Sequence, residues 1–393
     1  MTLRILLPLI AFVVWMAQPV YAENWTSFTG AETLRDFVSG ANLEIQLTSG
    51  VTARGRYNAD GTGQVVIWGE TFNRNWEVVG EDRVCYSAPK ETNCYTFEQN
   101  MDVPGEYRAR HIETGEQVLF HRTGTTIRKA EKGSKAGMGA PSAEEIAKKL
   151  ADPNSNMGTL STHFKYKRFD GDLPDSNNQG SSVISFQPSL PYSLSKTTNL
   201  FIRPTFPVII DKDVPKPNGG FESEGAAFGD ISFDASVLKS YRTGFMFGGG
   251  IVGTLPTATN DALGNDQWLL GPEVIGAVVR KWGVLGLLVS YKRNVAGDDD
   301  FDTSITGGQY FYTFHLKDGW TIHASPSLSY NHEASSGNEW TVPIGVGMTK
   351  TTIMGGRPWK FGFEYDYYVL SPDQFGPDWG IKFTVSPVVE LPW

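Results

Sequence analysis

The chain predicts an all-β protein: a C-terminal transmembrane antiparallel β-barrel of about 12 strands, preceded by a small N-terminal β domain and a linker with a short helix. Three observations predict it. Apolar and polar residues alternate through segment after segment of the C-terminal part, the period of a strand with one apolar face. The connections between these segments alternate between short and long. Finally, no stretch after the first 22 residues has the roughly 20 apolar residues of a spanning helix. The mean hydropathy is −0.26, an average that alternating strands leave unremarkable.

The first element is "MTLRILLPLIAFVVWMAQPVYA", with Arg4 ahead of an apolar run and Val20, Tyr21 and Ala22 at a small-x-small cleavage pattern. Residues 1–22 therefore read as a secretory signal peptide, with an N-terminal anchor disfavoured by the short apolar run. Export fits the two cysteines, Cys85 and Cys94. They are expected to form a short-loop disulfide, the alternative being a reduced pair packed as small apolar side chains. The formal charge of −9 and pI near 5.3 argue against nucleic acid as a partner.

Residues 23–128 read as short strands broken by turns, such as "TARGRYNADGTGQVVIWGE" and "NWEVVGEDRVCYS", with Asp60 and Gly61 placed for a tight hairpin. This small β domain is expected in the periplasm. Its His111 and His121 are isolated in sequence, and no metal site is predicted there. The segment 129–157 is a linker: "KAEKGSKAGMGAP" lacks periodicity. Ser142 then caps a predicted helix over "AEEIAKKLADP", with Glu145 at the capping-box position and Pro153 closing it.

Residues 158–393 carry about twelve strand signals. The short connections hold Lys196, Lys239, Arg242, Lys281, Lys317 and Arg357. The long ones collect Asp170, Asp172, Asp211, Glu222, Asp298, Asp299, Asp300 and others. An acidic outer rim serves solubility or attracts cations bridging to lipopolysaccharide. Parity is cleanest where Trp359, Phe361, Phe363, Tyr365 and Tyr367 alternate with Lys360, Gly362, Glu364 and Asp366. Trp268, Trp320, Trp340, Trp359 and Trp379 fall near strand ends, as an interfacial girdle requires. The final Trp393 closes a last alternating strand and is expected to signal to the outer-membrane assembly machinery. Eight prolines inside predicted strands (188, 191, 204, 207, 272, 326, 343 and 387) each remove a ladder hydrogen bond, and bulges are the expected accommodation.

At "LADPNSNMGTLSTHFKYK", "TLPTATNDALGNDQWLLGPEV", "VAGDDDFDTSITGGQYFY", "WTVPIGVGMTKT" and "FGPDWGIKFTVSPVVELPW" the sequence resembles the bacterial neuromedin-U-like proteins. These are outer-membrane transporters related to the phenol-degradation meta-pathway channel group. The resemblance covers about residues 143–393 and implies an outer-membrane barrel of a Gram-negative bacterium with a transport role. It brings no substrate and no set of functional residues.

Parity places Lys165, Lys167, Arg203, Asp234, Glu273, Lys292, His323, Lys360, Glu364, Asp366, Lys382 and Glu390 inside the barrel. In a barrel this narrow such side chains set selectivity, so a porin-like channel for small solutes is the leading expectation. A tether anchored by the barrel, with a periplasmic partner for the small domain, is the first alternative. An outer-membrane enzyme using His163, His315 or His323 with a serine is the second, and no nucleophile spacing supports it. No cofactor and no metal are expected.

Overall fold

The computed structural model describes residues 24–46, 52–88, 91–122, 141–298 and 300–391. The predicted signal peptide, much of the predicted linker and Trp393 lie outside the described residues.

The N-terminal part comprises β1 (Trp25–Ser27), α1 (Ala31–Val38), β2 (Asn42–Gln46), β3 (Thr52–Tyr57), β4 (Thr62–Ile67), β5 (Glu70–Val79), β6 (Arg83–Ser87), β7 (Thr92–Asn100), β8 (Glu106–His111) and β9 (Gln117–Arg122). Strands β2 to β9 pair in chain order, each antiparallel to the next. The ring closes through two residue pairs, Leu43 with Arg122 and Glu44 with His121.

Alternation is strict where this ring is best formed. Along β5, Glu70, Phe72, Arg74 and Trp76 are buried while Thr71, Asn73 and Asn75 face outward. Helix α1 was not anticipated from the sequence. It fills the ring with Leu34, Phe37 and Val38, an i, i+3, i+4 set that the surrounding strand signals masked. His111 is a structural histidine: it is buried, Nε2 lies 3.2 Å from Asn93 Oδ1, and Nδ1 accepts from the Thr114 amide.

Cys85 and Cys94 face each other across β6 and β7 and form a disulfide. A loop this short is worth about 2–3 kcal/mol in the chain-entropy account.

After α2 (Ala143–Ala151) come β10 (Gly158–Asp170), β11 (Gly180–Ser195), β12 (Thr198–Pro215), β13 (Phe221–Glu224), β14 (Ala227–Phe228), β15 (Ser232–Ser240), β16 (Phe245–Thr254), β17 (Gln267–Arg280), β18 (Gly283–Gly297), β19 (Ser304–His315), β20 (Trp320–Ala324), β21 (Ser327–Asn331), β22 (Trp340–Met354), β23 (Arg357–Leu370) and β24 (Gly376–Val389). Strands β20 and β21 are two halves of one wall strand, and β13 and β14 belong to a long loop. The result is a closed antiparallel barrel of twelve strands, sealed by β10 pairing with β24 from Gly158–Val389 to Asp170–Gly376.

The turns at 196–197, 241–244, 281–282, 316–319 and 355–356 lie at one end, and the longer loops at the other. The outer surface is an apolar belt: Phe247, Ile344 and Val346 are each more than half exposed, and Phe363, Phe383, Val385 and Leu287 join them. Exposed apolar surface on this scale is foreign to a water-soluble monomer and matches a bilayer. Indoles flank the belt at both rims, with Trp282 and Trp320 at the short-turn end and Trp268 and Trp340 at the long-loop end.

The prolines behave differently from the expectation. Only Pro343 adjoins a register shift. Pro188 comes opposite Pro204, and the β11–β12 ladder is interrupted there yet resumes in the same register. The Gln187 side chain donates to Thr205 Oγ1 at 2.8 Å across that gap. Pro326 splits the wall strand, so β22 loses its partner between Val342 and Val346. Two phenols repair the edge: Tyr312 donates to the Gly345 carbonyl at 2.8 Å, and Tyr310 accepts from the Gly345 amide. At the other seven prolines, neighbouring ladders on both sides of a closed ring hold the register without a bulge beside them.

Replacing both cysteines by serine is expected to lower the stability of the small domain by about 2–3 kcal/mol while leaving the barrel unchanged. Urea titrations followed separately by domain proteolysis and by the barrel's heat-modifiable gel mobility check this.

Candidate functional site

The barrel interior encloses a cavity of about 760 Å³. Inward positions of nearly every strand line it, and serines and threonines dominate the polar part: Ser161, Ser189, Ser236, Ser290, Ser327, Thr321 and Thr349 among them.

Of the residues singled out by parity, Arg203, Asp234, Glu273, Lys292, His323 and Lys360 line this cavity. Arg203 Nε donates to both Asp234 oxygens at 2.8 and 3.1 Å, a cross-strand ion pair between β12 and β15. Glu273 is buried and bonded to the Ser236 hydroxyl. Lys292 donates to Thr254 Oγ1 at 3.0 Å. Glu364 is fully buried: Lys382 Nζ lies 2.9 Å from Oε2, His323 Nδ1 lies 3.6 Å from it, and the Ser325 amide donates to Oε1 at 3.1 Å.

That last bond ties Glu364 to the Pro326 break, since Ser325 has left the β20–β22 ladder. Lys165 and Asp366 share inward parity on β10 and β23, and Lys165 stands directly opposite Lys382 in the β10–β24 ladder. Glu390 does not join them. It lies past the end of β24 and lines a small cleft between the two parts of the chain with Thr52 and Arg54.

What parity could not show is α2. The capping box is present, with Ser142 accepting from the Glu145 amide and Glu145 accepting from the Ser142 amide. The helix lies across the short-turn mouth. At one end Ala143 packs on Gly319, in the turn between β19 and β20. Beyond the other end, Asn154 donates to the Thr197 carbonyl at 3.2 Å and to Ser240 Oγ at 2.7 Å, and its carbonyl accepts from Asn199 at 3.0 Å. These anchor points are about half the ring of strands apart, so the helix spans the mouth.

Its two faces serve two interiors. Ala147, Leu150 and Ala151 close the lumen, and Ala151 meets an apolar wall of Phe201, Leu238, Met246 and Ile275. Ile146 is fully buried in the core of the small domain. That domain is latched onto α2 by the inward face of β5. Arg74 holds Glu145 through two bonds of 2.9 and 3.0 Å. Glu70 takes Lys149 at 2.8 Å, and its other oxygen accepts from Ser155 Oγ and the Asn156 amide.

The tight turn before β5 makes this approach possible. Trp68 and Gly69 both have positive φ (52° and 77°), the two-residue hairpin geometry, and Gly69 comes against the Asn156 carbonyl. Near the same contact, partial burial and then the Glu145 charge hold the Glu91 carboxyl above its ordinary range, with Ser142 partly offsetting them.

The long-loop end is built from two polar anchors, one half-buried and one fully buried. Asp230 accepts from the Thr257, Ala258 and Asn265 amides, fixing the "LPTATN" loop. The fully buried Gln267 donates to the Asp298 and Phe301 carbonyls and accepts from Thr303, fixing the acidic loop. Two of the five family-like stretches, those around 255–267 and 295–303, are therefore fixed loops in this chain.

No protein-family model matches the chain, and no curated protein matches it. Among solved structures it is similar to an outer membrane channel from Pseudomonas putida F1, with 12% identity over 66% of this chain and 100% of that one and a TM-score of 0.46. It is also similar to the NanC porin (9% identity, 59% of this chain and 100% of that one, TM-score 0.38). A third is the CymD monoaromatic hydrocarbon channel (8% identity, 62% and 92%, TM-score 0.33).

Replacing Lys382 by Met strands the buried Glu364 carboxylate and is expected to destabilise the barrel by about 3–5 kcal/mol. Adding Glu364→Gln should recover most of that loss. The urea midpoint of the compact, fast-migrating form on cold gels measures both.

Proposed function

We propose that this chain is an outer-membrane channel for small solutes whose periplasmic mouth is closed by α2 and the small β domain. The observation that carries the proposal is the combination of a continuous apolar exterior with an interior cavity lined by hydroxyls and charges. A purely anchoring barrel has no use for such a lumen, and a twelve-stranded ring leaves room for it. The motifs in the barrel support the narrower assignment to neuromedin-U-like transporters, and the leader-like N-terminus supports export.

Orientation follows from the loops: short turns face the periplasm and long loops face outward. This orientation supports a periplasmic small domain, on the side where α2 lies. Passage then requires α2 to leave the mouth. Its hold there rests on the charge-assisted contacts of Arg74 with Glu145 and of Glu70 with Lys149.

A tethering role is the second reading, favoured by the way the small domain's core is completed by Ile146 and Met157 from outside it. The two readings separate in one experiment. Arg74→Glu opposes Glu145 and should raise open probability in planar bilayers several-fold over the native protein, and Arg74→Glu with Glu145→Arg should return it to the native level. Equal, absent currents in all three folded proteins would reject the channel and leave the tether.

A further inference from the structure

The charges of the lumen are not evenly balanced around its wall. On the side of β12 to β17, Arg203 is neutralised by Asp234, and Glu273 is buried against Ser236. On the side of β23, β24 and β10, four lysines face inward: Lys360, Lys382, Lys165 and Lys167. Two carboxylates accompany them, and Glu364 is engaged by the Lys382 ammonium at 2.9 Å and the Ser325 amide at 3.1 Å. Asp366 stands in the row of Lys167 and next to that of Lys165, and no carboxylate stands in the row of Lys360.

Register orders them along the wall. Lys167 stands in the row of Gly380 and Asp366, toward the long loops. Lys165 and Lys382 face each other one row below, beside Glu364. His163 follows in the row of Thr384 and Gly362, and Lys360 stands opposite Ser386, nearer α2. Like charges directly opposite on neighbouring strands destabilise a sheet. Glu364 offsets Lys382, so Lys165 is, among the described residues, the charge of this row without an ion-pair partner, one that a passing anion would supply.

Midway along this series Gly362 has no side chain and Thr349 and Thr384 close over it, at 3.1 and 3.4 Å from where a methyl would stand. His163, His323, Thr349 and Lys360 around it line the cavity. His323 Nε2 is buried without a hydrogen-bond partner. His163 Nδ1 lies 2.9 Å from Thr384 Oγ1. Hydroxyls, imidazoles and the Lys360 ammonium two residues along the strand together form the donor set that a carboxylate or phosphate oxygen takes.

We infer that the β23–β24–β10 wall is an anion track, with a seat at His163, His323 and Lys360, and that the solutes carried are small oxyanions. This inference rests on the channel reading and names its substrate class.

The test is the reversal potential of the full chain in planar bilayers under a KCl gradient, with citrate as the probe of the seat. Native protein is expected to favour chloride, and citrate should reduce its current. The triple variant K165Q/K167Q/K360Q leaves the Lys382–Glu364 pair intact. It should bring the reversal potential to zero and lose most of the citrate block. K350Q, at the short-turn rim where Lys350 donates to the Asp318 carbonyl, should behave as native. Cation preference in the native protein, or an unchanged triple variant, would overturn the anion track while leaving a channel. Absence of current in the native protein, the triple variant and the Arg74→Glu variant alike would instead reject the channel reading, and the inference with it.

Discussion

Everything in this molecule depends on the closure of β10 onto β24. An open sheet would leave two edges of unpaired backbone groups, which an apolar environment does not tolerate. Closure removes both edges and at the same time divides every side chain of the wall into inward and outward sets. Phe363 and Phe383 face out because Glu364 and Lys382 face in, and neither choice can change without a slip of register that would invert a whole strand. The apolar belt, the indole rims and the polar lumen are consequences of that one constraint.

The same constraint explains how the barrel absorbs its prolines. Where Pro326 interrupts a strand, the exposed edge of β22 is capped from outside by Tyr310 and Tyr312, while the freed Ser325 amide turns inward to Glu364. The break thus holds the most buried carboxylate of the lumen, and that carboxylate holds Lys382 and His323. A local defect in the ladder becomes the organising point of one wall's electrostatics. At the short-turn mouth the solution is different: a helix with an apolar face toward each interior is gripped by Arg74 and Glu70, residues that point into the small domain's own ring.

Much of the barrel was legible because its signals are local and repeated. Two-residue parity located the strands and assigned Arg203, Glu273, Lys382 and their neighbours to the interior, and the rhythm of loop lengths gave the two ends. The α2 helix was legible from Ser142 and Glu145 at its start and Pro153 at its end. Its position was not, because nothing local to residues 142–152 encodes Thr197, Ser240 and Gly319, the groups that receive it. The helix α1 was missed because its eight residues lie among strand signals, although Leu34, Phe37 and Val38 carry the helical spacing. Glu390 was misplaced because parity extends past the point where β24 stops pairing. The pairing of Glu364 with the Ser325 amide also lay beyond sequence, since it depends on a break across two strands.

The most direct test of the account is a spin-label accessibility measurement in proteoliposomes. A nitroxide at Val346, outward on β22, should collide with oxygen dissolved in the bilayer and be shielded from a water-soluble nickel chelate. A nitroxide at Lys360, inward on β23, should show the reverse. Access of the nickel reagent to position 346, or equal behaviour at both positions, would contradict a lipid-facing belt around a wet lumen.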